Sequence, residues 1–250
     1  MRPLLAIGTL ARREIVRFVR QRSRLTGALL QPVVFWLLMG AGLKGSFRAS
    51  VGEQGYSEYF FPGILALVAL FSAIFSTISV VEDRRSGFLQ GVLVAPVPRW
   101  SIVAGQAVGS TLLAALQSGL VLLLAPAAGI RLTPGSGLAT FGVLVATSFG
   151  LSCLGLALAW KMNSTQGFHA IMNLLLMPMW LLSGAFFPAE GASPWLARVM
   201  ALNPLTYALA ALRRCLYAEP PGGVNLAVVV AFGLAAWWGA SMLARRVARQ

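Results

Sequence analysis

Apolar residues in this chain occur in six long runs separated by short polar segments. The runs cover residues 25–43, 62–81, 102–124, 138–160, 168–187 and 224–243. Each run is close to the ~20 residues that an α-helix needs to cross ~30 Å of hydrocarbon. Helices are the expected form, because in lipid every backbone N–H must find an acceptor within its own segment. The pattern predicts an all-α membrane protein with six transmembrane helices, forming a single transmembrane domain over residues 1–250.

The first 24 residues predict an amphipathic helix at the membrane surface. Leu4, Ile7, Ala11, Ile15 and Phe18 recur at intervals of three and four residues, which is typical of one apolar helix face. The same segment carries seven arginines: Arg2, Arg12, Arg13, Arg17, Arg20, Arg22 and Arg24. Such a helix lies in the interface with its arginines toward lipid phosphates. A secretory signal would place a short positive end before an apolar core and a cleavage site, so we expect this segment to stay in the mature protein.

The segment between the fifth and sixth runs is too apolar for a free loop. Residues 195–200 and 204–217 are rich in apolar and aromatic side chains. The Asn203-Pro204 pair lies between them, and proline cannot continue a helix that precedes it. We expect two short re-entrant or outer helices here.

Composition indicates a membrane protein rather than a soluble one, and the distribution of charge indicates how the chain is oriented in the membrane. The chain is 58% hydrophobic and 11% charged, whereas soluble domains are roughly 25% charged. The net charge of +13 does not indicate a nucleic-acid partner, because the basic residues flank the apolar runs without interleaved aromatic residues. With both termini in the cytoplasm, the inside segments hold 14 of the 20 arginines and lysines. The positive-inside rule therefore predicts that topology in a bacterial inner (plasma) membrane.

Carboxylates are missing from the apolar runs. All seven carboxylates lie outside them: Glu14, Glu53, Glu58, Glu82, Asp83, Glu190 and Glu219. A proton- or sodium-coupled carrier needs such groups within the membrane, so any uphill transport should take its energy from a partner. His169 is the one histidine and has the pattern of an interfacial anchor, with no serine placed for protease chemistry. The sequence has no Walker loop and no metal-ligand spacing, so we expect no catalytic residue, metal or cofactor in the chain.

The segment after the second run combines charge with an amphipathic stripe. Glu82, Asp83, Arg84 and Arg85 begin it, and apolar residues at helical spacing follow from Phe88. A membrane anchor would need only the arginines. The acidic pair therefore indicates a partner that offers basic groups, although a solvated interfacial loop would have the same composition.

Three motifs in order resemble the type-2 ABC transporter permeases, especially the branch of drug-resistance and nodulation-factor exporters. The first is Glu82-Asp83-Arg84-Arg85-Ser86-Gly87 followed by Leu93, Pro96, Arg99 and Gly105. The second is the segment from Leu182 to Pro188, and the third runs from Leu202 to Tyr207. With the basic N-terminal helix and the six runs, the resemblance covers essentially the whole chain.

The resemblance implies a half-transporter. Two identical permease subunits would pair in the lipid as a homodimer, and two separate ABC ATPase subunits carrying ATP and Mg would dock beneath them. Contact with the ATPase is implied for the N-terminal helix, with Arg12, Arg13, Arg17 and Arg20, and for the loop after the second span. In that loop the implied coupling residues are Glu82, Asp83, Arg84, Arg85, Gly87 and Phe88.

The second and fifth spans line the conduit in such transporters. The implied lining residues are Phe71, Ser72, Phe75, Ser76, Asn173, Met177 and Trp180. The alternative for each is ordinary helix packing, with serines bonded to their own backbone. For the whole chain, the alternatives are a non-transporting membrane anchor or assembly protein, and a stand-alone channel.

Overall fold

A computed structural model describes residues 3–20, 22–42, 55–94, 97–187 and 192–247. Over these ranges the backbone is helical and contains no strand, which confirms the all-α membrane fold. The helices are α1 (Pro3–Arg20), α2 (Arg22–Gly42), α3 (Tyr56–Ser76), α4 (Ile78–Arg85), α5 (Phe88–Val94), α6 (Arg99–Leu122), α7 (Pro134–Ala159), α8 (Thr165–Trp180), α9 (Pro194–Leu202), α10 (Pro204–Leu216) and α11 (Gly223–Val247). A 3-10 turn at Ala125–Ala128 follows α6, and a π-helical turn at Leu181–Ala185 continues α8.

Within the residues that the structure describes, five helical segments are long and apolar enough to cross a membrane. They are Tyr56–Arg85, Arg99–Leu122, Pro134–Ala159, Thr165–Ala185 and Gly223–Ala244. Helices α9 and α10, bent by 83° at Asn203, form a sixth candidate if they are counted as one broken span. The predicted run at 25–43 corresponds to α2, whose apolar stretch Leu29–Gly42 is shorter than a full crossing.

Helix α3 lies at the centre of the bundle. It contacts α2, α6, α7, α8 and α10, and 83% of its apolar window is buried, against 17% for α11. Small residues allow this close packing: a Cβ added at Gly155 of α7 would lie 2.7 Å from Thr77 Oγ1 and 3.2 Å from Ile74 Cα. Long apolar runs of the same kind therefore give helices in two environments. Helix α3 is surrounded by protein, and α11 faces mainly lipid.

Helix α1 packs along α6 through two glycines. A Cβ added at Gly105 would lie 3.2 Å from Ile7 Cα, and one at Gly109 would lie 3.2 Å from Ala11 Cα. Both helices advance four residues between these contacts, so they run parallel at very short range. The predicted amphipathic helix is present, but its buried face (Ala11, Glu14, Phe18) packs against protein rather than lipid alone.

Helix α8 ends in a distorted turn that α10 stabilises. Pro178 removes one backbone donor, and Gly184 has a positive φ of 83°. Side chains bind the carbonyls exposed there: Asn203 Nδ2 donates to Met179 O at 2.6 Å, and Arg213 Nη2 donates to Gly184 O at 2.8 Å. The two short helices predicted around Asn203-Pro204 are thus present, and they are fixed to the end of α8.

Candidate coupling site and membrane cavity

A cluster of two arginines and two carboxylates joins α1 to α4. Arg13 donates two hydrogen bonds to Asp83, Nη1 to Oδ2 at 2.5 Å and Nη2 to Oδ1 at 2.6 Å. Arg17 donates to Asp83 Oδ1 at 3.2 Å and, through its other nitrogen, to Glu82 Oε2. We call these four residues, Arg13, Arg17, Glu82 and Asp83, the charged clamp. The forked Arg13–Asp83 geometry is the strong, directional form of an ion pair.

Local structure explains why the clamp forms. Arg13 and Arg17 are four residues apart on α1 and so share one face. Asp83 is only 3% exposed, so its carboxylate depends on these donors. The Arg13 guanidinium also lies 3.8 Å from the centre of the Phe88 ring, a cation–π contact that extends the clamp to α5.

Glu14 is a second buried carboxylate beside the clamp. Its Oε1 lies 3.3 Å from Arg13 Nη1. Burial raises the pKa of Glu14 above its usual value, and the charge of Asp83 acts in the same direction. A hydrogen bond from Ser79 and the charges of Arg13 and Arg17 partly oppose this. Glu14 has no role in the sequence prediction, because nothing in the local pattern shows that its position is buried.

Arg84 joins α4 to the end of α7. Its Nη2 donates to Trp160 O at 2.8 Å, and its Nη1 donates to Met162 O and Asn163 Oδ1, both at 3.1 Å. The carbonyls of Trp160 and Met162 lie at and just past the C-terminal end of α7, where a cation is favourable. The clamp and Arg84 together connect α1, α4 and the α7–α8 connection at one end of the bundle, the charged end.

The structure corrects one part of the sequence interpretation. The basic groups that face Glu82 and Asp83 belong to the same chain, whereas the sequence pattern indicated a separate partner. The same contacts mean that Arg13 and Arg17 bind carboxylates rather than lipid phosphates alone. Arg13 and Asp83 are 70 residues apart, so local patterns carry no sign of their pairing.

The remaining predicted coupling residues are exposed at the charged end. Arg85, Gly87 and Phe88 face outward, as do Arg12 and Arg20 on α1. Gly87 has a φ of 77°, a conformation that suits glycine where the chain turns from α4 into α5. Their contact with an ATPase stays a prediction.

A cavity of about 580 Å³ begins beside the clamp and runs between α2, α3 and α8. Its lining residues are Phe18, Gly27, Gln31, Pro32, Phe35, Leu67, Val68, Phe71, Ser72, Phe75, Ser76, Ile78, Glu82, Gln117, His169, Met177 and Trp180. Aromatic rings and aliphatic side chains dominate, with a few hydroxyl and amide groups. This composition is typical of sites for bulky amphipathic molecules.

Six of the seven predicted conduit residues line this cavity: Phe71, Ser72, Phe75, Ser76, Met177 and Trp180. Asn173 is exposed on α8 and is not among the described lining residues. Ser76 donates to Ala73 O of its own helix at 2.8 Å, as the packing alternative expected, while Ser72 donates to Gln117 Oε1 at 2.9 Å. The role of these residues in transport stays a prediction.

Sequence reasoning missed the contributions of α1, α2 and α6 to the cavity. Gln31 and Gln117 are amides inside apolar runs, and that isolation was the available signal. His169 was expected to be an interfacial anchor, but it lines the cavity with its ring 5.1 Å from the ring of Phe75. Glu82 lines the cavity and also belongs to the clamp, so the two sites adjoin.

These features define a multi-pass membrane protein with an amphipathic cavity and a charged cluster at one end. Residues 6–217 match the family model described as the ABC-2 type transporter, and the chain belongs to that family. It is a membrane permease of an ABC transporter.

Related proteins carry consistent names. The chain is 31% identical over 207 residues to ycf38 of Cyanophora paradoxa, named as a transport permease, covering 82% of this chain and 71% of that protein. It is 26% identical over 208 residues to nodulation protein J of Neorhizobium galegae, covering 82% and 78%. It is 28% identical over 157 residues to YbhR of Escherichia coli K12, named as a probable multidrug ABC transporter permease, covering 61% and 42%.

Proposed function

We propose that this permease is the membrane subunit of an ATP-driven exporter, that it works as a homodimer, and that two ABC ATPase subunits energise it. ATP and Mg are held by those partners, since the chain has no Walker loop. The observation that carries the proposal is the junction at Glu82, which belongs both to the clamp and to the cavity wall. A displacement of the charged end must therefore change the shape of the cavity.

The connections of the charged end support a mechanical route. The clamp fixes α1 to α4, and Arg84 fixes α4 to the start of the segment leading to α8. Helices α3 and α8 supply most of the cavity wall. A force applied at the exposed residues Arg85, Gly87 and Phe88 would pass through these contacts to both walls, which suits an ATPase docking surface there.

We infer that the charged end lies on the cytoplasmic side of a bacterial inner membrane. The excess of arginine and lysine in the segments 1–24, 82–101, 161–167 and 244–250 supports this orientation. Reporter fusions at Arg99 and Lys161 should report cytoplasm, and a fusion at Glu219 should report the exterior. A cytoplasmic signal at Glu219 would contradict the topology.

The energy source gives the decisive experiment. A tagged permease should co-purify with an ABC ATPase, and inside-out vesicles containing both should accumulate cargo when ATP is added. Transport should survive a protonophore and stop when ATP hydrolysis is blocked by vanadate. The matched control is the same permease with an ATPase whose Walker lysine is replaced.

Two outcomes would contradict the proposal. Loss of transport with protonophore while ATP stays high would indicate a secondary carrier. Recovery of the ATPase with no ATP-dependent transport would favour a membrane anchor, and flux without any ATPase would favour a channel.

A further inference from the structure

Gln117 brings a polar group from α6 into a cavity formed mainly by α2, α3 and α8. Its side chain is almost fully buried, with the residue 1% exposed, and it forms part of the cavity lining. Ser72 of α3 donates to Gln117 Oε1 at 2.9 Å, which fixes the plane of the carboxamide. Helix α6 otherwise packs against α1, α3 and α7.

The N–H groups of the Gln117 carboxamide remain available to donate hydrogen bonds. A carboxamide NH₂ carries two donors, and within the described part of the chain Gln117 Nε2 donates to no acceptor. A donor that faces an apolar cavity gains free energy when an acceptor reaches it, more so where water is scarce. An acceptor can reach Gln117 Nε2 from the cavity, which the residue lines.

The position of Gln117 along the cavity sets the kind of molecule it can meet. Along α3 and α4 the lining residues extend from Leu67 to Glu82, about 22 Å at 1.5 Å per residue, and Ser72 lies between these ends. The rings of Phe71 and Phe75 flank this level, with centroids 5.5 Å apart. A long molecule with an apolar body would thus pass an amide donor partway along an aromatic wall.

The charges of the lining residues narrow the class of cargo molecule further. None of the described lining residues is lysine or arginine, and the carboxylate of Glu82 is already paired with Arg17. An anionic molecule would find no permanently charged cation among the described lining residues. An uncharged oxygen, such as a carbonyl, ether or hydroxyl group, is the acceptor that the lining suits.

We propose that Gln117 is a specificity-determining residue that donates a hydrogen bond to an uncharged oxygen of an elongated amphipathic cargo. The aromatic side chains of α3 contact the apolar body of that cargo. This assignment rests on the proposed function, because it takes the cavity to be the cargo path. It adds α6 to the helices that select the cargo.

The test uses two probes that differ by one acceptor. Prodan carries the ketone oxygen of a propionyl group on a dimethylaminonaphthalene ring, and 6-propyl-N,N-dimethyl-2-naphthylamine has a CH₂ group in place of that ketone. Binding to the full-length permease in lipid nanodiscs is followed by saturable energy transfer from tryptophan, and Trp180→Phe checks that the signal comes from this cavity. The variant is Gln117→Met, which keeps length and removes the donors. The matched control is Gln106→Met, a buried amide of the same helix that does not line the cavity.

Gln117→Met should weaken prodan binding about two- to tenfold, the range expected for one net hydrogen bond. Binding of the probe without the ketone should not change, and Gln106→Met should change neither. Should Gln117→Met fail to fold, Ser72→Ala frees the carboxamide plane and should weaken prodan binding by a smaller factor.

Equal losses for both probes in Gln117→Met would mean that the residue only packs the wall, and would overturn the assignment. So would the absence of saturable prodan binding to the wild type. Either result would leave ATPase recovery with the wild-type permease unaffected, so failure of this assignment is distinct from failure of the proposed function.

Discussion

The two ends of the bundle hold their helices together by different chemistry. At the charged end, two guanidinium groups meet two carboxylates, and α1 is joined to α4 across 70 residues of sequence. At the opposite end, α10 binds the carbonyl groups of the distorted end of α8 through Asn203 and Arg213. Ion pairs depend on both partners being charged, whereas a capped carbonyl needs only a donor. The charged end can therefore respond to charge, while the opposite end is set by shape.

The largest expected effect is the loss of the central carboxylate of the clamp. Asp83→Asn removes the charge that Arg13 and Arg17 share, and should lower the free energy of unfolding by about 2–3 kcal/mol. The melting temperature in detergent should fall by roughly 5–10 °C. Glu219→Gln is the matched control, because its ion pair with Arg214 is exposed at 3.5 Å and worth at most about 1 kcal/mol.

Exchanging the charges of Arg13 and Asp83 tests the same clamp more directly. Arg13→Asp combined with Asp83→Arg should recover part of the stability that each single change removes, since contacting charges are not additive. No recovery, or an Asp83→Asn loss as small as that of Glu219→Gln, would show that the clamp does not hold α1.

The second effect tests the backbone contact beneath the clamp. Gly109→Leu forces side-chain atoms toward Ala11 and Glu14, which lie within van der Waals distance of an added Cβ. Overpacking of this kind costs about 1–3 kcal/mol, and it should reduce ATPase stimulation as α1 moves away. Gly142→Leu on α7, where an added Cβ meets no atom within 4 Å, is the control. Equal stability and stimulation in the two variants would contradict the close α1–α6 contact.

The opposite end should respond less. Arg213→Met removes the hydrogen bond to Gly184 O and the contact with the Tyr59 ring, whose centre lies 4.3 Å from the guanidinium carbon. Tyr59 still donates to the same carbonyl at 3.2 Å, so we expect a loss of about 1 kcal/mol by thermal unfolding. Arg198→Met, at an exposed arginine of α9, should be neutral. A loss larger than that of Asp83→Asn would reverse the ranking of the two ends.

The smallest effect concerns Glu14 and depends on pH. Its pKa is raised in the folded protein, mainly by burial. The charged form therefore destabilises the fold at neutral pH, and this cost disappears as the pH falls through the folded-state pKa toward the unfolded one. Glu14→Gln should melt slightly higher than wild type at pH 7, and the difference should vanish in acid. A Glu14→Gln variant that melts lower at pH 7 would mean that the Arg13 contact outweighs the burial.

The helices could be predicted because their signals are local. Apolar run length located α3, α6, α7, α8 and α11, and the Asn203-Pro204 pair located the bend between α9 and α10. The weaker prediction was α2, where apolar character extends over only part of the helix. Periodicity also located the residues of α3 that face the cavity, because Phe71, Ser72, Phe75 and Ser76 share one side of a helix.

The contacts between distant segments could not be predicted. Nothing near Asp83 shows that Arg13 will bind it, since the pairing depends on how α1 packs on α6. The side of α6 that faces the cavity was also hidden, because Gln106 and Gln117 have the same composition around them but different surroundings in the fold. The acidic pair did indicate basic groups facing it, but the sequence interpretation placed those groups on a separate partner, whereas Arg13 and Arg17 belong to the same chain.

The parallel contact of α1 with α6 has a consequence for biosynthesis. Helix α1 leaves the ribosome before α4, and Asp83 follows Arg13 by 70 residues, or roughly 4–14 s at 5–20 residues per second. During that interval we infer that Arg13 and Arg17 bind anionic lipid headgroups. Only when α4 and α6 have inserted can these arginines exchange lipid phosphate for carboxylate, so the side chains that hold the early chain at the lipid surface are the ones that later join α1 to α4.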